Sequence, residues 1–411
     1  MSMWRLPEEI EVDIFLKLPV NSILACRCVC KPWCGLLTKP KFIKDHLDLT
    51  IQSNNNNNPR LMFGQSQYDQ GKNPIINSVD YKSISSSSSS SASDFPEMKV
   101  VSMEYPFEKI NTKAIVFLGS CTGLICLGVS NNGTSINEKN WICIWNPSTG
   151  EYIDIKLHIL EFREKASYCY RYGFGYGSNI DDYKLVQISG YDNCWSQIVK
   201  VCTIGSKCWK TIQSKHPYVF SGQLHENLHG VFINGVLHWS GATKATFGIT
   251  GKHIVCFDIN EERFMDIPFP EETVLPLQQH QETYREVGVL GDCLCVVFSV
   301  IGTRTDVWVM QDYGVRESWT KIFTTTQETM TRDRFLKPIW SFENGDILVH
   351  SCGQSSLCNH NNGNTTRKVL FDGINMGRYP ESYVESLVSL KSRTYVKKRI
   401  TNGNKESSDE D

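Results

Sequence analysis

Between residues 99 and 395 the chain repeats one unit: a hairpin turning on glycine, asparagine or aspartate, a third short apolar strand, and a fourth strand around an aromatic residue. Five copies are readable. The first runs from Phe117-Leu-Gly-Ser-Cys-Thr-Gly-Leu to Trp141-Ile-Cys-Ile-Trp, and the second from Tyr172-Gly-Phe-Gly-Tyr-Gly to Cys208-Trp-Lys. The third joins Gly230-Val-Phe-Ile-Asn-Gly to Arg263-Phe-Met-Asp-Ile-Pro, the fourth Gly288-Val-Leu-Gly-Asp to Ser318-Trp-Thr-Lys-Ile, and the fifth Ile339-Trp-Ser-Phe to Lys368-Val-Leu-Phe-Asp. Four strands per unit make a β-propeller blade, and the turn glycines Gly235, Gly291 and Gly345 recur at about 55 residues, outside the spacing of helical solenoids. A blade buries its faces only against neighbours, so the ring has to close. The expected sixth blade is composite, from strands within residues 61–107 and a late strand near 385–390.

At 411 residues the chain exceeds one ordinary core, and its first 48 residues carry a different texture. Pro7 stands where a first helical residue belongs, and Glu8, Glu9 and Glu11 favour a helix N-terminus. Ile10, Ile14, Phe15 and Leu18 then share one face. A second helix after Pro19 would bury Val20, Ile23, Leu24 and Val29, and a third from Pro32 holds Trp33, Leu36 and Leu37. Three such helices carry more apolar surface than they can cover among themselves, so the module is expected to dock on a partner. Residues 49–98, with an asparagine run at 54–58 and a serine run at 85–91, read as a flexible linker with exposed loops and the first strands. The fold class expected is α+β multidomain: a small three-helix module at 1–48, then an all-β, propeller-like domain of about six blades at 99–395. Residues 396–411 read as a disordered tail, with a nuclear signal at Lys397, Lys398 and Arg399 as the other reading.

Lysine and arginine number 42 against 44 acidic residues, a net charge of −2, so no single-sign field draws in nucleic acid or an anionic membrane. The opening residues meet acids where a secretory signal needs a basic and then an apolar stretch, and no run is long enough to span a bilayer. A cytoplasmic and/or nuclear protein is expected, its 16 cysteines free thiols and mostly small buried hydrophobes.

Three patterns invite a chemical reading, and each has a plainer one. His225-Glu226-Asn227-Leu228-His229 has the H-E-x-x-H spacing that on a helix sets two histidines on one face for zinc. It lies between Gly222 and Gly230 and runs into the strand at Val231, so an exposed polar loop is expected. Gly173, Gly175 and Gly177 alternate with aromatic residues, as in a strand closely approached by a neighbour, and no helix follows to receive a phosphate. Cys26, Cys28 and Cys30 stand two apart, with Cys34 beyond, and on a helix positions two apart point away from each other. His238 and Trp239 read as core residues ending a strand. No metal, cofactor or catalytic residue is assigned.

Leu6-Pro7-Glu8-Glu9, Leu16-Lys17-Leu18-Pro19-Val20, Ser22-Ile23-Leu24 and Arg27-Cys28-Val29-Cys30-Lys31-Pro32-Trp33 together resemble a plant F-box, with departures at Asn21, Ala25 and Cys34. Ile144-Trp145-Asn146-Pro147-Ser148-Thr149-Gly150, the Gly173 strand with Asp182-Tyr183-Lys184, and Asn234-Gly235-Val236-Leu237-His238-Trp239 resemble the plant F-box-associated, kelch-like domain. The resemblance implies a non-catalytic subunit of an SCF-type ubiquitin ligase: a Skp-type adaptor on the F-box, a cullin reached through it, and a protein substrate on the propeller. The adaptor face it implies comprises Leu6, Pro7, Ile10, Ile14, Leu18, Pro19, Leu24, Val29 and Trp33. Substrate-contacting residues are not legible, though loops on one rim of a rigid ring are the expected place. A propeller scaffold outside any ligase, and an enzyme with its site in the channel, are the competing readings.

Overall fold

The computed structural model describes residues 6–390 except 53–58, 66–73, 87–97, 108–111, 113, 131–140, 157–167, 192–196, 213–217, 221–228, 246–247, 274–282, 327–335, 352–353, 360–364, 372–373, 375 and 377–379. The expected tail at 396–411 and most of both low-complexity runs lie outside the described residues.

Four helices open the chain: α1 (Glu8–Leu16), α2 (Val20–Arg27), α3 (Lys31–Leu37) and α4 (Pro40–Gln52). Pro7 and Pro19 precede α1 and α2, and Pro32 lies in the first turn of α3, where a missing N–H leaves no bond unmade. Pro40 starts α4 in the same way, a signal that a three-helix module closing at residue 48 leaves unused. The fourth helix completes the core. It adds Phe42 and Ile43 to Phe15, Val20, Ile23, Leu36 and Leu37, with Phe15 edge-on to Trp33 at 5.1 Å. His46 donates from Nε2 to the Leu18 carbonyl at 3.0 Å, tying α4 to the turn after α1.

Six antiparallel sheets follow as blades of one closed propeller. Blade 1 is Arg60–Gln65, Ile75–Asp80 and Val101–Met103 together with Glu381–Tyr383, and blade 2 is Ala114–Cys121, Leu124–Ser130, Trp141–Trp145 and Tyr152–Lys156. Blade 3 holds Tyr168–Gly177, Asp182–Tyr191, Gln197–Thr203 and Cys208–Ile212. Blade 4 holds Val231–Ile233, Val236–Ala245, Gly248–Asp258 and Arg263–Pro268, with Tyr218–Val219 paired alongside. Blade 5 is Thr283–Leu290, Cys293–Val300, Arg304–Met310 and Trp319–Thr326, and blade 6 is Lys337–Ser341, Asp346–Ser351, Gln354–Asn359 and Thr365–Val369. The first strands of blades 2 to 6 and Glu381–Tyr383 touch in sequence around a circle, so they form the inner wall.

Closure comes from the pairing of chain ends that a composite blade requires, but four residues earlier than expected. Arg60, Leu61 and Met62 face Tyr383, Ser382 and Glu381, and residues 384–389 belong to no sheet. The apolar run that looked like a strand, Leu387, Val388 and Leu390, is buried elsewhere: it shares one core cluster with the helices and with blades 2 and 3. The helical module is therefore packed against the propeller, which corrects the flexible junction. Residues 49–98 likewise hold the end of α4, two strands of blade 1 and a short helix, Tyr81–Ser86, whose Tyr81 ring stacks on Trp340 of blade 6 at 4.7 Å.

The repeated residues of the sequence are the joints between blades. Indole N–H groups cross from blade to blade: Trp209 donates to the Lys156 carbonyl at 3.1 Å, Trp239 to Tyr172 at 3.0 Å, and Trp319 to Pro268 at 3.1 Å. Lys184 is buried between blades 3 and 4, donating to the Ile259 carbonyl at 2.7 Å and to Glu262 at 2.8 Å. Gly173 has no side chain because blade 4 occupies its place: a Cβ would stand 2.6 Å from Leu237 and 2.7 Å from Trp239. Gly173→Ala is expected to lower unfolding stability by about 1–3 kcal/mol, the usual cost of overpacking. Gly35→Ala in α3 is the control, because nothing lies within 4 Å of its Cβ position; there urea denaturation should show a gain of about 0.5–1 kcal/mol. Equal effects at the two glycines would mean the blades do not meet as described.

Candidate functional site

The helices divide their apolar side chains between an inward and an outward set. Phe15, Ile23, Leu36 and Leu37 are buried, whereas Leu6, Ile10, Ile14 and Val29 are 53%, 46%, 47% and 65% exposed. Pro7 and Pro19 are exposed beside them. Of the nine residues assigned to the adaptor face, six thus point to water, and Leu18, Leu24 and Trp33 are half-buried against the module's core. Full burial of an exposed apolar side chain of this size is worth about 1.5–3 kcal/mol, and roughly half of that is still to be gained at Leu6, Ile10, Ile14 and Val29, a driving force for association. Around it the polar structure is sparse. Lys39 pairs with Glu8 at 2.5 Å, but both are more than half exposed, and such surface pairs contribute little. Cys28, Cys30 and Cys34 are exposed and Cys26 is partly buried; among the described residues no group of histidine, cysteine or carboxylate side chains could hold a metal ion.

The H-E-x-x-H pattern meets a different fate from the one expected. His225 lies outside the described residues, but His229 is only 5% exposed, so it is not part of an exposed loop. Its backbone bridges Tyr172 on the inner strand of blade 3, and its Nε2 lies 3.5 Å from Glu381 Oε2 on the closing strand. Glu381 also sits 3.5 Å from Lys337 Nζ of blade 6 and accepts from the Ser120 hydroxyl of blade 2 at 3.1 Å. Three elements, from blade 2, from blade 6 and from the segment leading into blade 4, thus converge on one carboxylate. Burial would raise its pKa, but the Lys337 charge, the His229 ring beside it and the Ser120 hydrogen bond outweigh that and hold it at about 2. Nothing in the local sequence of Glu381 announced this role, which arises only when the ring closes.

His238 is buried, as expected, but it stands near the start of the strand Val236–Ala245 and not at a strand end. Burial drives its pKa down to about 4, and its ring bonds the Val231 carbonyl at 3.3 Å and the Tyr313 hydroxyl at 2.8 Å. Gly173, Gly175 and Gly177 lie in the inner strand of blade 3, and side chains of blade 4 stand where a Cβ would be at Gly173 and Gly175.

A helical module with an exposed apolar face, packed ahead of a closed six-bladed propeller, has the architecture of an F-box substrate adaptor. The family model of the F-box associated beta propeller domain matches residues 72–391, and the F-box-like model matches residues 3–49. F-box protein CPR1 of Arabidopsis thaliana is 28% identical over 366 residues, covering 84% of this chain and 80% of that protein. An F-box/kelch-repeat protein of the same plant is 25% identical over 389 residues, covering 94% and 96%. The chain belongs to the F-box-associated β-propeller family of plant F-box proteins. F-box proteins are in general non-catalytic substrate receptors, and their F-box domains in general bind a Skp-type adaptor within SCF ligases.

Proposed function

We propose that this chain is the substrate-recognition subunit of a cullin-based SCF-type ubiquitin ligase, holding a Skp-type adaptor on its helices and a target protein on its propeller. The observation that carries the reading is the outward set Leu6, Pro7, Ile10, Ile14, Pro19 and Val29, which the module's own core leaves in water. In such an assembly the conjugating enzyme rides on the cullin. The chain then acts by raising the local concentration of substrate lysines near that enzyme, which requires geometry and no nucleophile.

Leu6→Ala combined with Pro7→Ala should weaken binding of a purified Skp-type adaptor at least tenfold, about 1.4 kcal/mol, because a few central anchors dominate most interfaces. Both residues are exposed, so the melting temperature should hold. Titration calorimetry checks the affinity and a thermal scan the melting temperature, and adaptor affinity equal to that of the unaltered chain would sink the proposal. A full-length chain that binds no Skp-type adaptor at all would favour a propeller scaffold outside any ligase.

A further inference from the structure

After the closing strand, residues 384–389 run without sheet partners, yet Ser386, Leu387, Val388 and Leu390 are all buried. What holds this strap is the turn of blade 2 that carries the Asn146-Pro147-Ser148-Thr149-Gly150-Glu151 motif. Asn146 Nδ2 donates to the Ser386 carbonyl at 3.1 Å and to the Val388 carbonyl at 2.8 Å, while its Oδ1 accepts from Ser148 N within the turn at 2.9 Å. Glu151 Oε2 accepts from Leu390 N at 2.7 Å and from the Ser389 hydroxyl at 2.9 Å. On the neighbouring hairpin the strap passes so close to Gly123 that a Cβ there would stand 2.8 Å from the Val384 carbonyl and 2.5 Å from Ser386 Cβ. The gripped face is backbone; the apolar side chains of the strap enter the cluster that contains Phe15, Val20, Ile23, Leu36, Leu37, Phe42 and Ile43 of the helices. In α2, burial lowers the pKa of Arg27 while Cys34 and then Glu151 act in the opposite direction, and its guanidinium donates to the Leu37 carbonyl at 2.8 Å.

We propose that the strap at 384–390, gripped by Asn146 and Glu151, is the device that fixes the helical module on blade 2, and so sets where the propeller stands relative to a bound adaptor. Asn146 and Glu151 are then positioning residues. Their side-chain bonds to residues 386, 388, 389 and 390 hold the strap, and through it they decide the angle between the helices and the propeller. The consequence for ubiquitin transfer rests on the ligase reading above; the mechanical claim does not.

Full-length Asn146→Ala separates the two. Hydrogen exchange at residues 386–390 should rise at least tenfold, and amine cross-links from Lys31 and Lys41 to the propeller, a fixed set in the unaltered chain, should at least double in number. Adaptor affinity should stay within twofold, because the outward face is unchanged. In a ligase reassembled with adaptor and cullin, the lysines modified on the chain itself should spread from a restricted set to a broad one. If Asn146→Ala does not fold, Glu151→Gln keeps the side-chain size but removes the charge that strengthens the bonds to Leu390 N and the Ser389 hydroxyl, and the cross-links should spread there too. Faster exchange of the strap with an unchanged cross-link pattern in the variant that folds would overturn the proposal, as would a tenfold loss of adaptor affinity, which would make the strap part of the docking face. A chain that binds no adaptor fails the ligase reading alone, because exchange and cross-linking still report on the strap.

Discussion

Glu381→Ala is expected to destabilise the chain by about 3–5 kcal/mol, the usual consequence of stripping a buried ion of its partner. The Lys337 and Glu381 side chains are only 16% and 14% exposed, so water screens the pair poorly. Without the carboxylate, Lys337 keeps the Pro380 carbonyl at 3.0 Å, His229 loses its contact at 3.5 Å, and Ser120 retains the Ser382 carbonyl at 2.6 Å. The acid limb of stability gives an independent test. Glu381 has its pKa lowered from 4.5 to about 2 in the folded chain, so its contribution is fully present above about pH 4.5 and is lost as pH falls toward 2. The groups that face it are Lys337, His229 and Ser120, from blade 6, the edge of blade 4 and blade 2. Urea midpoints measured from pH 6 to pH 2 should therefore fall less steeply for Glu381→Gln than for the unaltered chain. Parallel curves would show that the carboxylate is not held as described.

The propeller was legible because its signal is repeated. A hairpin with Asn234 at φ 53° and Gly235 at φ 80° follows directly from an asparagine-glycine pair, and five such units outweigh an error in any one. The closing strand had no such support. Glu381, Ser382 and Tyr383 show no apolar alternation, whereas Leu387, Val388 and Leu390 a few residues on do, and the apolar pattern pointed to the wrong segment. Periodicity reports that a side chain is buried and not what buries it; the strap is buried by helices and a blade end instead of by a sheet. His229 failed for a related reason. A polar residue between glycines reads as exposed, and only the distant Glu381 gives it a buried partner.

On the helices the sequence pattern put Ile14 and Phe15 on one face, and the division between Ile14, exposed, and Phe15, buried one residue later, depended on α4. That helix covers one face and leaves the other in water. Phe42, Ile43 and His46 belong to a helix that starts on Pro40, and without it the inward direction of the module has no definition. The place of Asn146 was half visible: the motif was conspicuous, and its Oδ1 bond within the turn is ordinary for asparagine, but the bonds from Nδ2 to the Ser386 and Val388 carbonyls span about 240 residues of chain.

A chain ending at Pro380 is expected not to fold cooperatively at all. It loses the pairing of Arg60, Leu61 and Met62, the hydrogen bond of the Tyr81 hydroxyl to Ser382 at 2.7 Å, that of Tyr383 to Ser78 at 3.3 Å, and the carboxylate that joins blades 2, 4 and 6. It also loses the burial of Tyr383, Leu387, Val388 and Leu390, each worth about 1.5–3 kcal/mol. Together these losses approach the 5–15 kcal/mol of net stability typical of folded proteins. The strand Arg60–Gln65 would be left with an unpaired inner edge, which invites association with other chains. A chain ending at Tyr383 separates closure from the strap. It keeps the pairing with Arg60, Leu61 and Met62 but not residues 384–390, so the propeller should still close, at lower stability, while the helices lose their packing on blade 2. Calorimetry and light scattering distinguish the cases: no cooperative transition and rising aggregation for the shorter chain, a weakened transition for the longer. A chain ending at Pro380 that stays monomeric and melts as the full chain does would show that the ring does not depend on its closing strand.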